Sequence, residues 1–301
     1  MSTTSMNGTT HNNDSTIALA LPKGRMQQGV IDLLKDAGIN ISIPDRGYRP
    51  SINLQDYTVK LLKPQNIIEM LASGSRDIGF GGADWVANLG FDNHVIQLLD
   101  TELDHVKVVA AGSSIESFNN MKSSNIPIRI ASEYEKLTLD WITKNKLNAT
   151  FVRAFGATES FPPEDADLIV DNTATGSTLK ANGLQILDTV FVSSTRLYCS
   201  TAAYNNPIKR KRIDELVILL QSVLHARTKQ AITFNITDAA LQKILPTLPC
   251  MRAPTVAQLY HGGGYAVNIV VPKTIVGQTV IQLKAEGATD VIVTNINQIV
   301  P

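Results

Sequence analysis

The residues of this chain most apt for chemistry sit in one run, positions 167–184, which reads DLIVDNTATGSTLKANGL. An apolar strand at 168–170 leads into Asp171. A hydroxyl-rich turn follows, built of Thr173, Ala174, Thr175, Gly176, Ser177 and Thr178, and a helix is expected from Leu179. Backbones build anion sites in this order. The strand fixes the turn, glycine lets the main chain come close to a ligand, and free N–H groups at the helix start join the hydroxyls in donating to phosphate oxygens. A carboxylate just ahead of such a cradle repels phosphate. It accepts hydrogen bonds from sugar hydroxyls or holds a metal, so Asp171 followed by the cradle points to a phosphorylated sugar. Turns favour Ser, Thr, Asn, Asp and Gly in any case, and an ordinary strand–turn–helix connection would read the same way locally.

Elements able to position such a turn recur along the chain. An apolar strand at 17–21 ends in Pro22-Lys23-Gly24-Arg25, and 28–37 has helical spacing through Val30, Leu33 and Leu34, stopped at Gly38. A strand at 59–62 meets Lys63-Pro64-Gln65 and a helix through Ile67, Ile68 and Leu71. A strand at 77–80 runs into Gly81-Gly82-Ala83-Asp84, read as a turn, with helical pattern resuming at Trp85. This alternation predicts α/β layers with a largely parallel sheet, in which ligands sit beyond the carboxyl ends of strands. PKGR, KPQ, GGAD and the cradle all fall in strand-to-helix loops.

A second α/β unit is expected from Asp104, with strands at 106–110, 128–131, 150–153 and 168–170 and a helix at 137–144. The β-rich stretch 190–201 would return the chain to the first unit, and 213–228 is an amphipathic helix, apolar at Leu216, Ile218, Leu219, Val223 and Leu224. Beyond it come a strand at 231–236, a helix at 238–245, the irregular PTLPCMRAPTV, and a strand near 256–259. A strand at 265–271, helix at 273–287 and strand at 291–294 complete a βαββαβ order, that of a ferredoxin-like module. Such modules commonly bind small effectors, though fold alone does not establish it.

Composition narrows the function classes. The 301 residues are 44% hydrophobic and 18% charged, with a formal net charge of zero, so no global basic field exists to hold nucleic acid or an anionic membrane. Cys199 and Cys250 form neither a disulfide framework nor a metal-spaced pair, and His11, His94, His105, His225 and His261 are scattered. That argues against a protein-held transition metal and leaves Mg²⁺ carried in by phosphates. Residues 1–15 are rich in Ser, Thr and Asn, lack the basic start and apolar core of a signal peptide, and read as a disordered tail. No apolar run has the roughly twenty residues that span a bilayer, so a cytoplasmic protein is expected. His261 with Gly262–Gly264 reads as a flexible loop, and Met251 as a core residue.

The order PKGR, KPQ, DIGFGGADW, GATES, DLIVDNTATGSTLKANGL, RAPTV and KAEGATDVIV resembles the ATP phosphoribosyltransferases of the long form, over nearly everything after the tail. The resemblance implies a bilobal catalytic core like a periplasmic binding protein, with the active site between lobes and an ACT-like domain that senses histidine. It places lobe I at 16–104 and 201–228, lobe II with the phosphoribosyl-donor site at 105–200, and the regulatory domain at 229–301. It implies transfer of the phosphoribosyl group of phosphoribosyl pyrophosphate to N1 of ATP, the first step of histidine synthesis, with Mg²⁺ and a hexamer built from dimers.

Residue roles follow from the same resemblance. Thr173, Ala174, Thr175, Gly176, Ser177 and Thr178 would hold the donor's 5′-phosphate, and Asp171 with Glu159 of GATES its ribose hydroxyls. Lys23 and Arg25 would meet phosphates, with Arg49, Lys63 and Lys107 as further cationic candidates. Asp84 would sit by the purine or its ribose, or serve as a helix N-cap. Asn235 and Thr255 match the histidine-contacting region, and Asp290 an adjacent subunit interface.

Three places depart from the family pattern. Asn172 stands where an apolar residue is common, Glu133 and Glu135 replace Ser or Lys and Pro, and GFGGAD lacks the usual β-branched residue after its first glycine. Glu135 adds negative charge near the expected substrate path. Two rival readings stay open at this level. One is a non-enzymatic sensor, to which the many phosphate donors are foreign. The other is prephenate dehydratase, whose Thr-Arg-Phe signature is approached by Ser194-Thr195-Arg196 but ends here in Leu197.

Overall fold

A computed structural model describes residues 15–44, 47–124, 126–260 and 262–300. The expected tail, apart from Ser15, and His261 lie outside the described residues. The chain divides into two compact units, one comprising the segment up to Lys35 with Ile39–Glu215, the other Asp36–Gly38 with Leu216–Pro301.

The first unit runs β1 (Ile17–Pro22), α1 (Met26–Asp36), β2 (Ile41–Ser42), β3 (Ser51–Ile52), β4 (Tyr57–Leu62), α2 (Pro64–Ala72), β5 (Ile78–Gly82) and α3 (Ala83–Leu89). There follow β6 (Val95–Gly112), α4 (Ile115–Ser123), β7 (Ile128–Ser132), α5 (Glu135–Asn145), β8 (Ala149–Arg153), β9 (Leu168–Thr173), α6 (Ser177–Ala181), β10 (Gln185–Ser200), α7 (Thr201–Asn205) and α8 (Pro207–Arg227), which reaches into the second unit. Eight strands form one sheet in the order β4-β1-β5-β10-β6-β9-β7-β8.

The sheet is mixed rather than largely parallel. β1 is parallel to β4 and β5, and β7 to β8 and β9, whereas β10 runs antiparallel to β5 and β6, and β6 antiparallel to β9. The reason is the length of β6 and β10, 18 and 16 residues, which lie side by side across the middle of the sheet. Positions 104 and 105 fall inside β6, at an irregular stretch. Glu102 and Asp104 take positive φ of 56° and 49° there, and pairing with β10 shifts register between Ser193 and Thr195. Polar residues at this kink, Asp100, Glu102 and Asp104, hide the first half of β6 from pattern reading.

Packing accounts for the elements around this sheet. The helical spacing of α1 turns Val30, Leu33 and Leu34 inward, each fully buried. Gly81 lies within strand β5 alongside Gly79, not in the expected turn, and α2 packs directly on both. A Cβ at Gly79 would come within 2.6 Å of Ile67 Cγ2, and one at Gly81 within 2.7 Å of Ile68 Cδ1. Gly82 ends the strand and α3 starts at Ala83, two residues before the expected Trp85. Helix α4 buries none of its residues, which is why its apolar spacing carries no signal.

In the second unit β11 (Lys229–Ile236), α9 (Asp238–Ile244), β12 (Thr255–Gln258), β13 (Tyr265–Pro272), α10 (Val276–Ala285) and β14 (Thr289–Asn295) give the expected βαββαβ order. The strands pair antiparallel as β12-β13-β11-β14. Alternate residues Ile232, Phe234 and Ile236 join Val267, Ile269, Val271 and Leu283 in its core. Met251 is exposed rather than core, since it lies in the irregular crossing before β12.

Candidate functional site

The cradle is built as a continuation of β9. Leu168, Ile169 and Val170 are buried, and pairing of β9 with β6 and β7 fixes the strand on both sides. The strand carries on through Asp171, Asn172 and Thr173, three residues past its apolar part. Gly176, at φ 78°, turns the chain and stands as N-cap of α6, which begins at Ser177, ahead of the expected Leu179. The hydroxyls hold the turn in shape: Gly176 N–H donates to Thr173 Oγ1 at 2.9 Å, and the Thr175 hydroxyl to Ser177 Oγ at 3.0 Å.

A cavity of about 360 Å³ opens on this turn, lined by Arg25, Glu159, Asp171, Asn172, Thr173, Ala174, Thr175, Ser177, Thr178 and Leu179. Glu159 arrives on a short 3₁₀ turn, Thr158–Ser160, entered through Ala157 at positive φ. Burial pushes the Asp171 carboxyl up to about 6; the Asn172 N–H and the Thr158 hydroxyl pull it down, and the charges of Glu133 and Glu159 push it up. Glu135 does not bear on the cavity as an unmatched charge, because it pairs with Arg153.

A second cavity of about 300 Å³ shares Arg25 and Asn172 with the first. Lys23 and Asp84 line it, with Met26, Trp85, Tyr134 and Ser193–Thr195. The Trp85 and Tyr134 rings stack at 4.8 Å. Asp84 is 5% exposed and lies in the first turn of α3, whose N-cap is Gly82, so the aspartate is not the cap. Its own N–H instead donates to Ser193 Oγ on β10 at 3.0 Å. Asp84 Oδ1 accepts the Ser193 hydroxyl at 2.6 Å and Oδ2 the Tyr134 hydroxyl at 2.8 Å. Burial and the Asp84 charge drive the Tyr134 hydroxyl's pKa far up, so it is a neutral donor. Lys23 Nζ lies 3.8 Å from the centre of the Tyr48 ring.

The fold thus gathers Glu159, Asp171 and five cradle residues with Arg25 at one cavity, and Lys23, Arg25 and Asp84 at the other. Gly176 shapes the turn without lining the cavity. Arg49, Lys63 and Lys107 are exposed and line neither cavity; Lys107 lies opposite Thr173 on the neighbouring strand. In the second unit Asn235 Nδ2 donates to Asp290 Oδ2 at 2.9 Å, while Thr255 sits on β12 opposite Asn268, apart from both. Burial pushes the Cys199 thiol up to about 12, which leaves it no use as a nucleophile at neutral pH.

Sequence reasoning missed Trp85, Tyr134 and Ser193 as site residues. Ser193 adjoins Ser194-Thr195-Arg196, whose side chains are held within the β6–β10 pair. The Ser194 hydroxyl donates to Asp100 at 2.8 Å, that of Thr195 to Asp104 at 2.9 Å, and Arg196 pairs with Asp100 at 3.1 Å. The hydroxyl run was the available signal.

A family model described as ATP phosphoribosyltransferase matches residues 63–222, and one described as HisG, C-terminal domain, matches 226–298. A protein of Pelodictyon phaeoclathratiforme named ATP phosphoribosyltransferase is 32% identical over 295 residues, 95% of this chain and 98% of its own length. One of the same name from Chlorobaculum parvum is 31% identical over 297 residues, 96% and 99% of the two chains. Among solved structures, a chain of the ATP phosphoribosyl transferase (HisG:HisZ) complex from Thermotoga maritima is similar with a TM-score of 0.58 at 28% identity, over 70% of this chain and 99% of that one.

Proposed function

The chain belongs to the ATP phosphoribosyltransferase family, in the long form that carries a C-terminal domain, and from that premise we propose that it transfers the phosphoribosyl group of phosphoribosyl pyrophosphate to N1 of ATP. The observation that carries the reading is the pair of adjoining cavities that share Arg25 and Asn172, one lined by two carboxylates and a hydroxyl turn, the other by a stacked Trp85–Tyr134 pair. In this reading the donor's 5′-phosphate takes hydroxyls and N–H groups of the turn at 173–178, and its ribose hydroxyls donate to Asp171 and Glu159. ATP takes the neighbouring cavity, its phosphates near Lys23 and Arg25.

The chemistry needs alignment more than a reactive side chain. The lone pair of adenine N1 forms a bond to the anomeric carbon while the bond from that carbon to pyrophosphate oxygen breaks. Positive charge gathers on the ribosyl ring and negative charge on the leaving group. Two anionic substrates held at fixed positions by Arg25 and the cradle turn a bimolecular encounter into an effectively unimolecular step. The carboxylates of Asp171 and Glu159 face the ring as its positive charge develops, and Lys23 and Arg25 face the pyrophosphate.

Magnesium belongs to this reading as an ion that enters with the substrate phosphates. Asp171 and Glu159 bring carboxylate oxygens to one cavity, the hard ligands that such an ion takes. When bound, the ion supplies neutralisation of charge on the departing pyrophosphate. Asn235, Thr255 and Asp290 are read as contacts for histidine acting as feedback inhibitor, and the assembly as a cytoplasmic homo-hexamer built from dimers. Among the described residues no helix is long and apolar enough to cross a membrane.

The test is direct. Protein mixed with ATP, phosphoribosyl pyrophosphate and Mg²⁺ should raise the absorbance near the adenine band as phosphoribosyl-ATP forms. No product in the presence of pyrophosphatase, which removes the reverse reaction, would overturn the reading.

A further inference from the structure

We propose that Tyr134 is a positioning residue whose hydroxyl couples occupancy of the two cavities, so that each ligand tightens the binding of the other. The proposal rests on the reading of the cavities as donor and ATP sites.

Tyr134 is 1% exposed, and its ring is clamped on Trp85, so the hydroxyl has no room to swing. That hydroxyl is used in both directions. It donates to Asp84 Oδ2 at 2.8 Å and accepts from Asn172 Nδ2 at 2.9 Å. Asp84 is held in turn by Ser193 at 2.6 Å. At the other end Asp171 Oδ1 accepts from Asn172 twice, from its backbone N–H at 2.6 Å and from the same Nδ2 at 3.4 Å. An unbroken chain of hydrogen bonds therefore runs Ser193–Asp84–Tyr134–Asn172–Asp171, from the floor of one cavity to the carboxylate of the other.

The chain crosses the sheet at positions no local motif connects, since Asp84 follows β5, Tyr134 follows β7, Asn172 lies on β9 and Ser193 on β10. The Asn172 side chain supplies the link on which the chain depends, its Nδ2 donating to the Tyr134 hydroxyl at 2.9 Å and reaching Asp171 Oδ1 at 3.4 Å. At its buried end, where Ser193, Asp84 and Tyr134 lie, such a network does not deform gradually. A donor to a buried acceptor either stays or leaves that acceptor unpaired, so groups at the two ends settle together. A ribose that draws on Asp171 fixes the orientation of Asn172, and Asn172 fixes the proton of Tyr134 on Asp84. A ligand beside Asp84 and Trp85 then meets an ordered wall. By linkage the reverse effect has the same size.

The experiment is calorimetric titration of the full chain with phosphoribosyl pyrophosphate, alone and with saturating 1-deaza-ATP, whose ring carbon in place of N1 cannot attack. In the wild-type protein the analogue should tighten donor binding about fivefold or more. Tyr134→Phe, which keeps the ring and its stack, should reduce that factor to near one while each ligand alone still binds. Asn172→Leu, a change at an exposed residue, should do the same without disturbing the core. In turnover both variants should raise the KM for each substrate, measured with the other saturating, by more than they raise either single-ligand dissociation constant. Wild-type protein that binds both ligands independently, or either variant with the coupling factor intact, overturns the proposal. Wild-type protein that binds neither ligand overturns the assignment of the cavities and this proposal with it.

Discussion

The Asp171 carboxylate accepts the backbone N–H of its own neighbour, Asn172, at 2.6 Å, and burial still pushes its pKa up to about 6. A raised carboxyl pKa has a definite sign. The stability it contributes is present below the unfolded value of about 4 and is lost as pH rises through about 6. At neutral pH the fold therefore carries a carboxylate whose charge it disfavours, as binding sites do. Ribose hydroxyls donate to the ionised form, so donor affinity should fall as pH drops through about 6, by up to about tenfold per unit. The donor's own phosphate titrates in the same window, near about 6, and the diagnostic is a difference. Calorimetry from about pH 5 to about pH 8 should give wild type a steeper loss than Asp171→Asn; equal slopes would remove Asp171 from the donor site.

Gly176→Ala tests whether the shape of the cradle matters beyond its hydroxyls. Space is not the obstacle, since a Cβ there would meet Ile186 Cδ1 at 3.5 Å, an ordinary contact. The φ of 78° is, because an L side chain in that region costs about 1–2 kcal/mol. Relief of the strain moves the N–H of Gly176 off Thr173 Oγ1. The expected result is a thermal midpoint lower by about 2–4 °C per kcal/mol, with a KM for phosphoribosyl pyrophosphate raised more than that for ATP. Equal effects on both substrates would mean that the turn serves only the fold.

The cradle was legible in the sequence because it is local: strand, carboxylate, hydroxyls, glycine and helix follow within a dozen or so positions. The ferredoxin-like order was legible for the same reason, each element carrying its own periodicity. What was not legible depends on partners far along the chain. Gly81-Gly82 reads as a turn by composition, yet both are strand residues, and Gly81 is cleared for Ile68 of α2. The kink of β6 at Asp100, Glu102 and Asp104 breaks the apolar pattern of a strand that the pairing with β10 holds together. Tyr134, Asp84, Ser193 and Asn172 meet only after four strands have assembled. Arg49 is expected at ATP yet lines neither cavity, since a cation in a loop motif carries no information about where its side chain points.

Lys209→Met should separate stability from catalysis. The run Lys209-Arg210-Lys211-Arg212 has the composition of an anion-binding patch, but three of its cations are matched. Lys209 Nζ bridges both oxygens of Asp77 at 2.8 and 2.9 Å, Arg210 pairs with Asp214, and Arg212 with Asp56. Asp77 is 7% exposed and also accepts the Ala18 N–H at 2.7 Å, so it ties α8 to the β1–β5 pair. Removal of the ammonium leaves a buried carboxylate without its counter-charge, a loss of about 3–5 kcal/mol. Denaturant melts should show that loss while kcat and both KM values at low temperature hold. A loss near zero would mean that Asp77 is solvated in the folded protein.

Asp290→Asn addresses the regulatory reading. Asp290 sits at φ 48°, a conformation Asn tolerates as well as Asp, so the exchange removes charge and little else. Its Oδ2 takes the Asn235 amide at 2.9 Å and the Thr289 hydroxyl at 3.1 Å, and the side chain is exposed at the end of the β11–β14 pair. A carboxylate so placed suits the α-ammonium of an amino acid, and a charged hydrogen bond of that kind contributes about 1.5–3 kcal/mol. Histidine inhibition of the wild type should be non-competitive against ATP, because the effector and ATP are read onto different units of the chain. Asp290→Asn should raise the inhibition constant about tenfold or more and leave uninhibited kcat and KM unchanged. Inhibition that is purely competitive with ATP would move the histidine site to the catalytic unit, and an unchanged inhibition constant in the variant would free Asp290 from it.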